Sequence, residues 1–263
     1  MKKLSRYLPV MSLAIIFFVL VGAAKKPSKS DGYFELKVYH YSNGQQENIV
    51  DNFLQKDLLP YLHNSGIKNI GVFKAIANDT ATDKKIYVLI PFSSLKQWEK
   101  YLALKANDPA ITGNNEYTNS ITDKPAYGRV ETIFLKGFKF MPHVSVPQLT
   151  AAKSERVYEL RSYESAGEKL HANKVHMFNE GGEIDLFARL GFNAVFYASV
   201  IHGAKMPNLM YMTSFENMKA REEHWASFRT DTVWKTLSAR PEYQKNVSKS
   251  EIIFLRPTNY SDL

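Results

Sequence analysis

The sequence predicts an α+β fold made of two tandem βαββαβ units that close on each other as a two-sheet sandwich or an eight-stranded barrel. Three observations carry this. Two alternating segments, Tyr33–Tyr41 and Arg156–Glu164, each open a run of strand, helix, strand, strand, helix and strand. The two runs match at several places: Glu35-Leu36-Lys37 with Glu159-Leu160-Arg161, Phe92 with Phe215, Asp108 with Asp231, and Glu131–Lys136 with Glu251–Arg256. A four-stranded sheet with both helices on one face leaves its other face bare, and a second unit in the same chain can cover it.

The chain begins with a basic end (Lys2, Lys3, Arg6), an apolar stretch from Met11 to Ala24 and small residues at Gly22-Ala23-Ala24. That pattern predicts a cleavable export signal over residues 1–24 and a periplasmic or secreted mature protein. The apolar run is shorter than the ~20 residues that span a bilayer. An uncleaved anchor is the alternative, and no membrane contact is expected after cleavage. A polar linker, 25–32, leads to the first unit, 33–140.

In that unit Tyr33–Tyr41 alternates as a strand. Gln45–Asn64 is a helix with Val50, Phe53, Leu54 and Tyr61 on one stripe, kinked or ended near Pro60 and closed by Gly66. Lys68–Ala77 and Lys85–Pro91 are strands around the turn Asn78-Asp79-Thr80. Ser94-x-x-Gln97 is a capping box opening a helix whose buried face holds Leu95, Trp98 and Leu102. Asn107–Tyr127 is irregular, and Arg129–Phe138 is the fourth strand. The stretch 141–155, with Pro142 and Pro147, is a linker to the second unit, 156–257. There Arg156–Glu164 is followed by a helix, Glu168–Leu190, broken at Gly181-Gly182, with Leu170, Met177 and Ile184 inward. Strands Phe192–Ile201 and Leu209–Thr213 follow. Ser214 caps a helix carrying Phe215, Met218, Trp225 and Phe228 on one face, Asp231–Tyr243 is short helix, and Ser250–Arg256 is the last strand. Residues 258–263 form a tail.

Composition narrows the chemistry. The 263 residues carry a formal charge of +8, of which Lys2, Lys3 and Arg6 supply part, and the remaining basic residues are scattered. No nucleic-acid partner is expected from such a distribution. The sequence contains no cysteine, which excludes disulfides, thiolate catalysis, iron–sulfur clusters and cysteine-based zinc sites. His171 and His176 lie five apart, about 140° around a helix, and no His-Glu-x-x-His run occurs. No metal is expected. No Gly-x-Gly-x-x-Gly, Walker-type or Gly-x-Ser-x-Gly segment occurs either, so no cofactor is expected. Trp98, Trp225, Phe228 and Trp234 have core spacing.

The first strand of each unit supplies the candidate site. Its apolar members, Phe34, Leu36 and Val38, and Tyr158 and Leu160, are assigned to the helix side. That assignment turns Glu35, Lys37 and Tyr39, and Glu159, Arg161 and Tyr163, towards the space between the sheets. These six are the candidate ligand-binding residues, with Arg161 able to clamp a carboxylate or phosphate. The competing reading makes them ion pairs that register the sheets.

Val157–Tyr163, then Gly167, Ser214-Phe215 and Trp225-x-x-Phe228-x-x-Asp231-x-x-Trp234, resemble the NIPSNAP family of the dimeric α/β barrel superfamily, over about Tyr158–Arg256. The first half departs by having Lys37 for Arg161 and Ala-Ile after Asp108-Pro109. The resemblance implies two ferredoxin-like units forming one dimeric-α/β-barrel-like pseudo-dimer, and no firmly shared reaction. Some barrels of this superfamily hold haem through one histidine, for which His171 would be the helical candidate; His202 and His224 suit surface or capping roles. Two functions stay open. One is a binding module for an unknown small molecule or protein partner. The other is a cofactor-independent monooxygenase- or isomerase-like enzyme using Tyr163, Glu159 or a histidine. Further homo-oligomerisation is compatible with either.

Overall fold

The computed structural model describes residues 30–105 and 107–263, so the export signal over 1–24 and most of the linker 25–32 lie outside the described residues. The first half contains β1 (Tyr33–Tyr41), α1 (Gly44–Phe53), α2 (Leu59–Asn64), β2 (Gly71–Ala75), β3 (Lys84–Phe92), α3 (Leu95–Lys105), α4 (Pro109–Thr112) and β4 (Arg129–Gly137). The second contains β5 (Val157–Glu164), α5 (Glu168–Phe178), α6 (Glu183–Arg189), β6 (Asn193–His202), β7 (Asn208–Phe215), α7 (Met218–Thr230), α8 (Thr232–Ser238) and β8 (Lys249–Pro257). The strands close an antiparallel barrel in the order β1-β3-β2-β8-β5-β7-β6-β4. Each half therefore supplies four adjacent strands. Two seams join the halves: β2 to β8, with Ala75 opposite Leu255, and β4 to β6, with Leu135 opposite Val200. Closure removes the sheet edges that each half would otherwise present.

Local sequence explains most of the boundaries. Gln97 N–H donates to Ser94 Oγ (3.2 Å) and Gln97 Oε1 accepts from Ser93 N–H (2.7 Å), which caps α3. Gly66 and Gly191 follow the first helical segment of each half at φ 78° and 75°, a backbone state that glycine adopts without strain. α5 stops at Phe178 and α6 starts after Gly182, so the diglycine breaks the helix as expected. Pro60 behaves differently. The chain stays helical to Asn64, through a π-helical stretch at Leu54–Leu58. That wider turn, just before the proline, relieves the clash between its ring and the carbonyl four residues back. In the second half β7 runs on to Phe215 and Asn217, not Ser214, caps α7. Leu95, Leu102 and Met218 are exposed, at 44%, 40% and 37%. The stripes that pack are instead Trp98 and Tyr101 on α3, and Arg221, Trp225 and Phe228 on α7.

The largest departure concerns which side of the sheet is which. Phe34, Leu36, Val38, Tyr158 and Leu160 do not face the helices. They join Phe73, Tyr87, Leu89, Leu135, Val195, Phe196, Met210, Met212 and Leu255, from both halves, in one cluster inside the barrel. Glu35, Lys37, Tyr39, Glu159, Arg161 and Tyr163 point the other way, into the helix layers. The physical reason is that the barrel interior is walled by strands alone. Strands bring few charged donors to it, so most inward positions must be apolar. The helix layers can hold charge because the helices bring tryptophan N–H groups and arginines to it.

The two barrel ends differ. The end where β1 and β5 begin is closed. Val144 and Leu149 of the connecting stretch pack on the interior cluster, Ser145 N–H donates to Val195 O (2.9 Å), and Leu263 is buried beside Gly71. The tail is tied down by hydrogen bonds from Val72 N–H to Ser261 Oγ (2.9 Å) and from Asp262 N–H to Ile70 O (3.0 Å). The end where β1 and β5 finish is open.

Candidate ligand site at the barrel mouth

Along each strand the inward column turns from apolar to polar as it reaches the open end. On β1, Phe34, Leu36 and Val38 are followed by His40; on β3, Tyr87 is preceded by Lys85. On β4 and β8, Ile133 and Ile253 are preceded by Glu131 and Glu251. On β5, Leu160 is followed by Ser162, and on β7 Met210 is preceded by Asn208. All of these but Phe34 line a cavity of about 350 Å³, completed by Thr132 and by Ala204 and Lys205 of the β6–β7 loop. Its floor is aliphatic and aromatic, and its rim is ionisable. Both halves contribute to each.

The rim is ordered by short contacts. His40 Nδ1 lies 2.9 and 3.0 Å from the Asp83 carboxylate oxygens, and its Nε2 lies 3.2 Å from Glu131 Oε1. Lys205 Nζ donates to Glu251 Oε2 at 2.7 Å, an interaction that raises the lysine pKa above its ordinary value. Lys85 Nζ stands 3.6 Å from Asp83. Lower down, the buried side chains of Ser162 and Asn208 bond each other at 2.8–3.1 Å. The Tyr87 ring is buried. Burial, followed by the charges of Glu251, Glu131 and Asp83, pushes the Tyr87 phenol well above its usual range.

The six residues expected to bind ligand form a different arrangement. Glu159 is fully buried under α7. It accepts from Arg161 Nε (2.5 Å), Arg221 Nε and Nη2 (2.7 and 3.1 Å) and Trp225 Nε1 (2.8 Å). The Arg161 guanidinium lies 3.8 Å from the centroid of the Trp225 ring and donates to Tyr163 Oη (2.9 Å). Tyr163 is hydrogen-bonded in turn to Tyr211 (2.9 Å). Burial alone would raise the Glu159 carboxyl; the Arg221 hydrogen bonds, the two guanidinium charges and Trp225 outweigh it and hold the group below its ordinary value. Every strong donor around Glu159 is already spent, so Arg161 is not free to clamp a second anion.

The first half repeats the device in simpler form. Trp98 Nε1 donates to Glu35 Oε2 (2.9 Å), Lys37 Nζ reaches Glu35 Oε1 (2.7 Å) and Thr132 Oγ1 (3.2 Å), and Tyr39 meets Tyr117 (3.4 Å). Trp98 stacks on Phe134 where Arg221 covers the matching Phe254. Of the candidate histidines, His224 Nδ1 bonds the Leu190 carbonyl (2.7 Å) and His171 is partly buried. The mouth residues were missed because the inward parity was assigned to the wrong side. With it corrected, Glu131 and Glu251, already aligned by the repeat, mark the same end of the barrel.

Comparison with solved structures places this fold. A candidate monooxygenase from Fusobacterium nucleatum superposes with a TM-score of 0.58 at 5% identity, over 88% of this chain and 94% of the other. A candidate monooxygenase from Lactobacillus acidophilus NCFM gives 0.55 at 13% identity, over 86% and 93%. At these identities the likeness concerns the eight-stranded α/β barrel fold. A NIPSNAP family protein from Agrobacterium tumefaciens str. C58, 22% identical, aligns with 41% of this chain and 99% of its own, with a TM-score of 0.37. The comparison with curated proteins gives no match. The second half carries the family signal: residues 158–262 match the NIPSNAP family model.

Proposed function

We propose that the protein is an exported binding module, built from two tandem ferredoxin-like units, that holds a small, largely apolar molecule in the barrel mouth. The observation that carries the reading is the mouth itself. It is concave, lies at the small end of the volume range of ligand pockets, and joins an apolar floor to a few oriented polar groups. The repeated bond from a helix tryptophan to the first-strand glutamate supports the duplication, and makes Glu35, Lys37, Tyr39, Glu159, Arg161 and Tyr163 struts of the two helix layers.

Replacing Ser162 by phenylalanine fills the mouth from its wall. Native mass spectrometry of purified wild type is expected to show a retained small molecule that the Ser162→Phe protein lacks. Equal retention by both would place the ligand elsewhere. Export is tested separately: the protein recovered from the periplasm or medium should have the intact mass of a chain starting near Lys25. A full-length mass in a membrane fraction would favour the uncleaved anchor.

The enzyme reading has one feature in its favour. His40, oriented by Asp83 beside an apolar pocket, has the arrangement of a general base. The monooxygenase description of the two barrel neighbours belongs to those proteins, and their low identity does not carry it here.

A further inference from the structure

We infer that the β6–β7 loop, residues 203–206, is a strap that opens and closes the mouth, latched by Lys205 on Glu251; this rests on the mouth being the ligand site. The loop leaves β6 beside β4. A side chain on Gly203 would meet Ile133 Cγ2 at 3.3 Å, so the backbone there runs close over an inward residue of β4. Ala204 and Lys205 then line the cavity. Lys205 Nζ reaches Glu251 Oε2 at 2.7 Å, on β8, which lies two strands beyond β7 in the barrel order. A short loop thus touches β4 on one side of the mouth and β8 on the other.

The ends of the loop are fixed and its middle is not. Before it, β6 still pairs with β4, His202 opposite Phe134. After it, Pro207 O accepts from Ser165 N–H (2.9 Å), and Asn208 bonds Ser162 at 2.8 Å. Between these anchors, the Lys205–Glu251 contact is the one hydrogen bond or ion pair that residues 203–206 make among the described residues. Its two side chains are 47% and 42% exposed. An exposed pair of this kind holds weakly and is screened by salt. Met206 is exposed and adds no apolar anchor. Lys205 is also kept at φ 65°, a left-handed state that a lysine adopts at a cost and is free to leave once the pair breaks. The matching turn of the first half, between β2 and β3, is made differently. There the buried Asn78 bonds Lys85 O (2.9 Å), Lys85 N–H (2.8 Å) and Tyr41 Oη (3.1 Å), which ties the turn to its own sheet. Of the two loops that the repeat places at this end, one is pinned from inside and one hangs on a single exposed pair. A segment with so few ties opens locally while the barrel stays folded, as active-site and binding-site lids do.

The chain has no cysteine, so Ser162→Cys places a single thiol on the wall of the mouth, at a position that is 4% exposed. Its rate of modification by methyl methanethiosulfonate, a small neutral reagent, reads how often the strap is open and needs no ligand. In that background Lys205→Gln and Glu251→Gln are each expected to speed labelling about threefold at low salt. The exchange Lys205→Glu/Glu251→Lys should bring the rate back towards that of Ser162→Cys alone. High salt should speed the protein with the intact pair and leave the two glutamine variants as they are. The glutamine variants change the local charge in opposite directions. A change in thiol acidity would therefore move their rates apart, whereas a lost latch moves them together. Urea midpoints of the four proteins are expected to agree, because the opening is local. Equal labelling rates in all four, rates that diverge between the glutamine variants, or rates that track the midpoints overturn the strap and leave the mouth standing as a ligand site. Labelling that follows the latch, in a protein that retains no small molecule at the mouth, keeps the strap and removes the ligand it was to admit.

Discussion

Replacing Glu159 by glutamine is expected to destabilise the protein by about 3–5 kcal/mol, the usual consequence of leaving buried charge without its partner. Glutamine keeps the shape but not the charge, so the Arg161 and Arg221 guanidiniums remain beside the sheet with one neutral acceptor between them. Trp225 loses the carboxylate that fixes its ring, and Arg161 is stacked on that ring at 3.8 Å. The measurement is the urea midpoint and slope of the purified mature protein. Glu35→Gln is the internal control. Glu35 holds only Lys37 and Trp98, at 2.7 and 2.9 Å, so its loss should be roughly half as large. Equal losses at the two sites would show that the extra arginine contributes nothing.

The same pair of variants gives a pH signature. The Glu159 carboxyl sits below its ordinary value of 4.5 in the folded protein, against that value when unfolded. A depressed carboxylate contributes stability that is complete above about 4.5 and is lost as the pH falls through the lower folded-state value. The gap between wild type and Glu159→Gln should therefore be widest near neutrality and narrow in acid. A gap that widened on acidification would mean that Glu159 is not the ionised centre of the network.

Much of the fold could be read from alternation and repetition. The matched segments around Glu35 and Glu159, and around Glu131 and Glu251, locate eight strands and the doubling that closes them. What the strand pattern could not supply was its direction. Phe34, Leu36 and Val38 are apolar whether they meet helices or another sheet, and Glu159 and Arg161 are charged either way. Only the partners decide, and Arg221 and Trp225 lie some 60 residues downstream in α7. Solvent-facing strands betray their parity by polarity alone. A strand covered on both faces does not, because a helix layer can neutralise charge as well as exclude it. Pro60 is a similar case. Its effect depended on the turn before it, a π-helical stretch that buries Leu54 and Leu58 and makes room for the proline ring.

Lys174 and Glu183 should behave as one unit. Lys174 Nζ donates to Glu183 Oε2 at 2.8 Å with both side chains buried, and it lies 4.7 Å from the centroid of the Phe178 ring. The pair spans the diglycine break, tying the start of α6 back to α5 where no backbone helix continues. Glu183→Leu strands an ammonium among Phe178, Trp234 and Tyr163 and is expected to cost about 3–5 kcal/mol; Lys174→Met strands the carboxylate at a similar cost. The double variant Lys174→Met/Glu183→Leu removes both charges and replaces them with apolar bulk, so most of the loss should return. Two losses of that size against a small one in the double variant put the coupling read from the cycle of four proteins at about 5 kcal/mol or more. Lys174 also borders an outer cavity of about 410 Å³ beside Trp234, Tyr243 and Asn246. If Glu183→Leu costs under about 1 kcal/mol, the amine has turned into that cavity and reached water, and the pair is a surface contact folded inward. A large single loss that the second change repairs would instead show that the cost lies in the unpaired buried charge, and that apolar contact such as Phe178 on Phe187 can hold the two helices across their break.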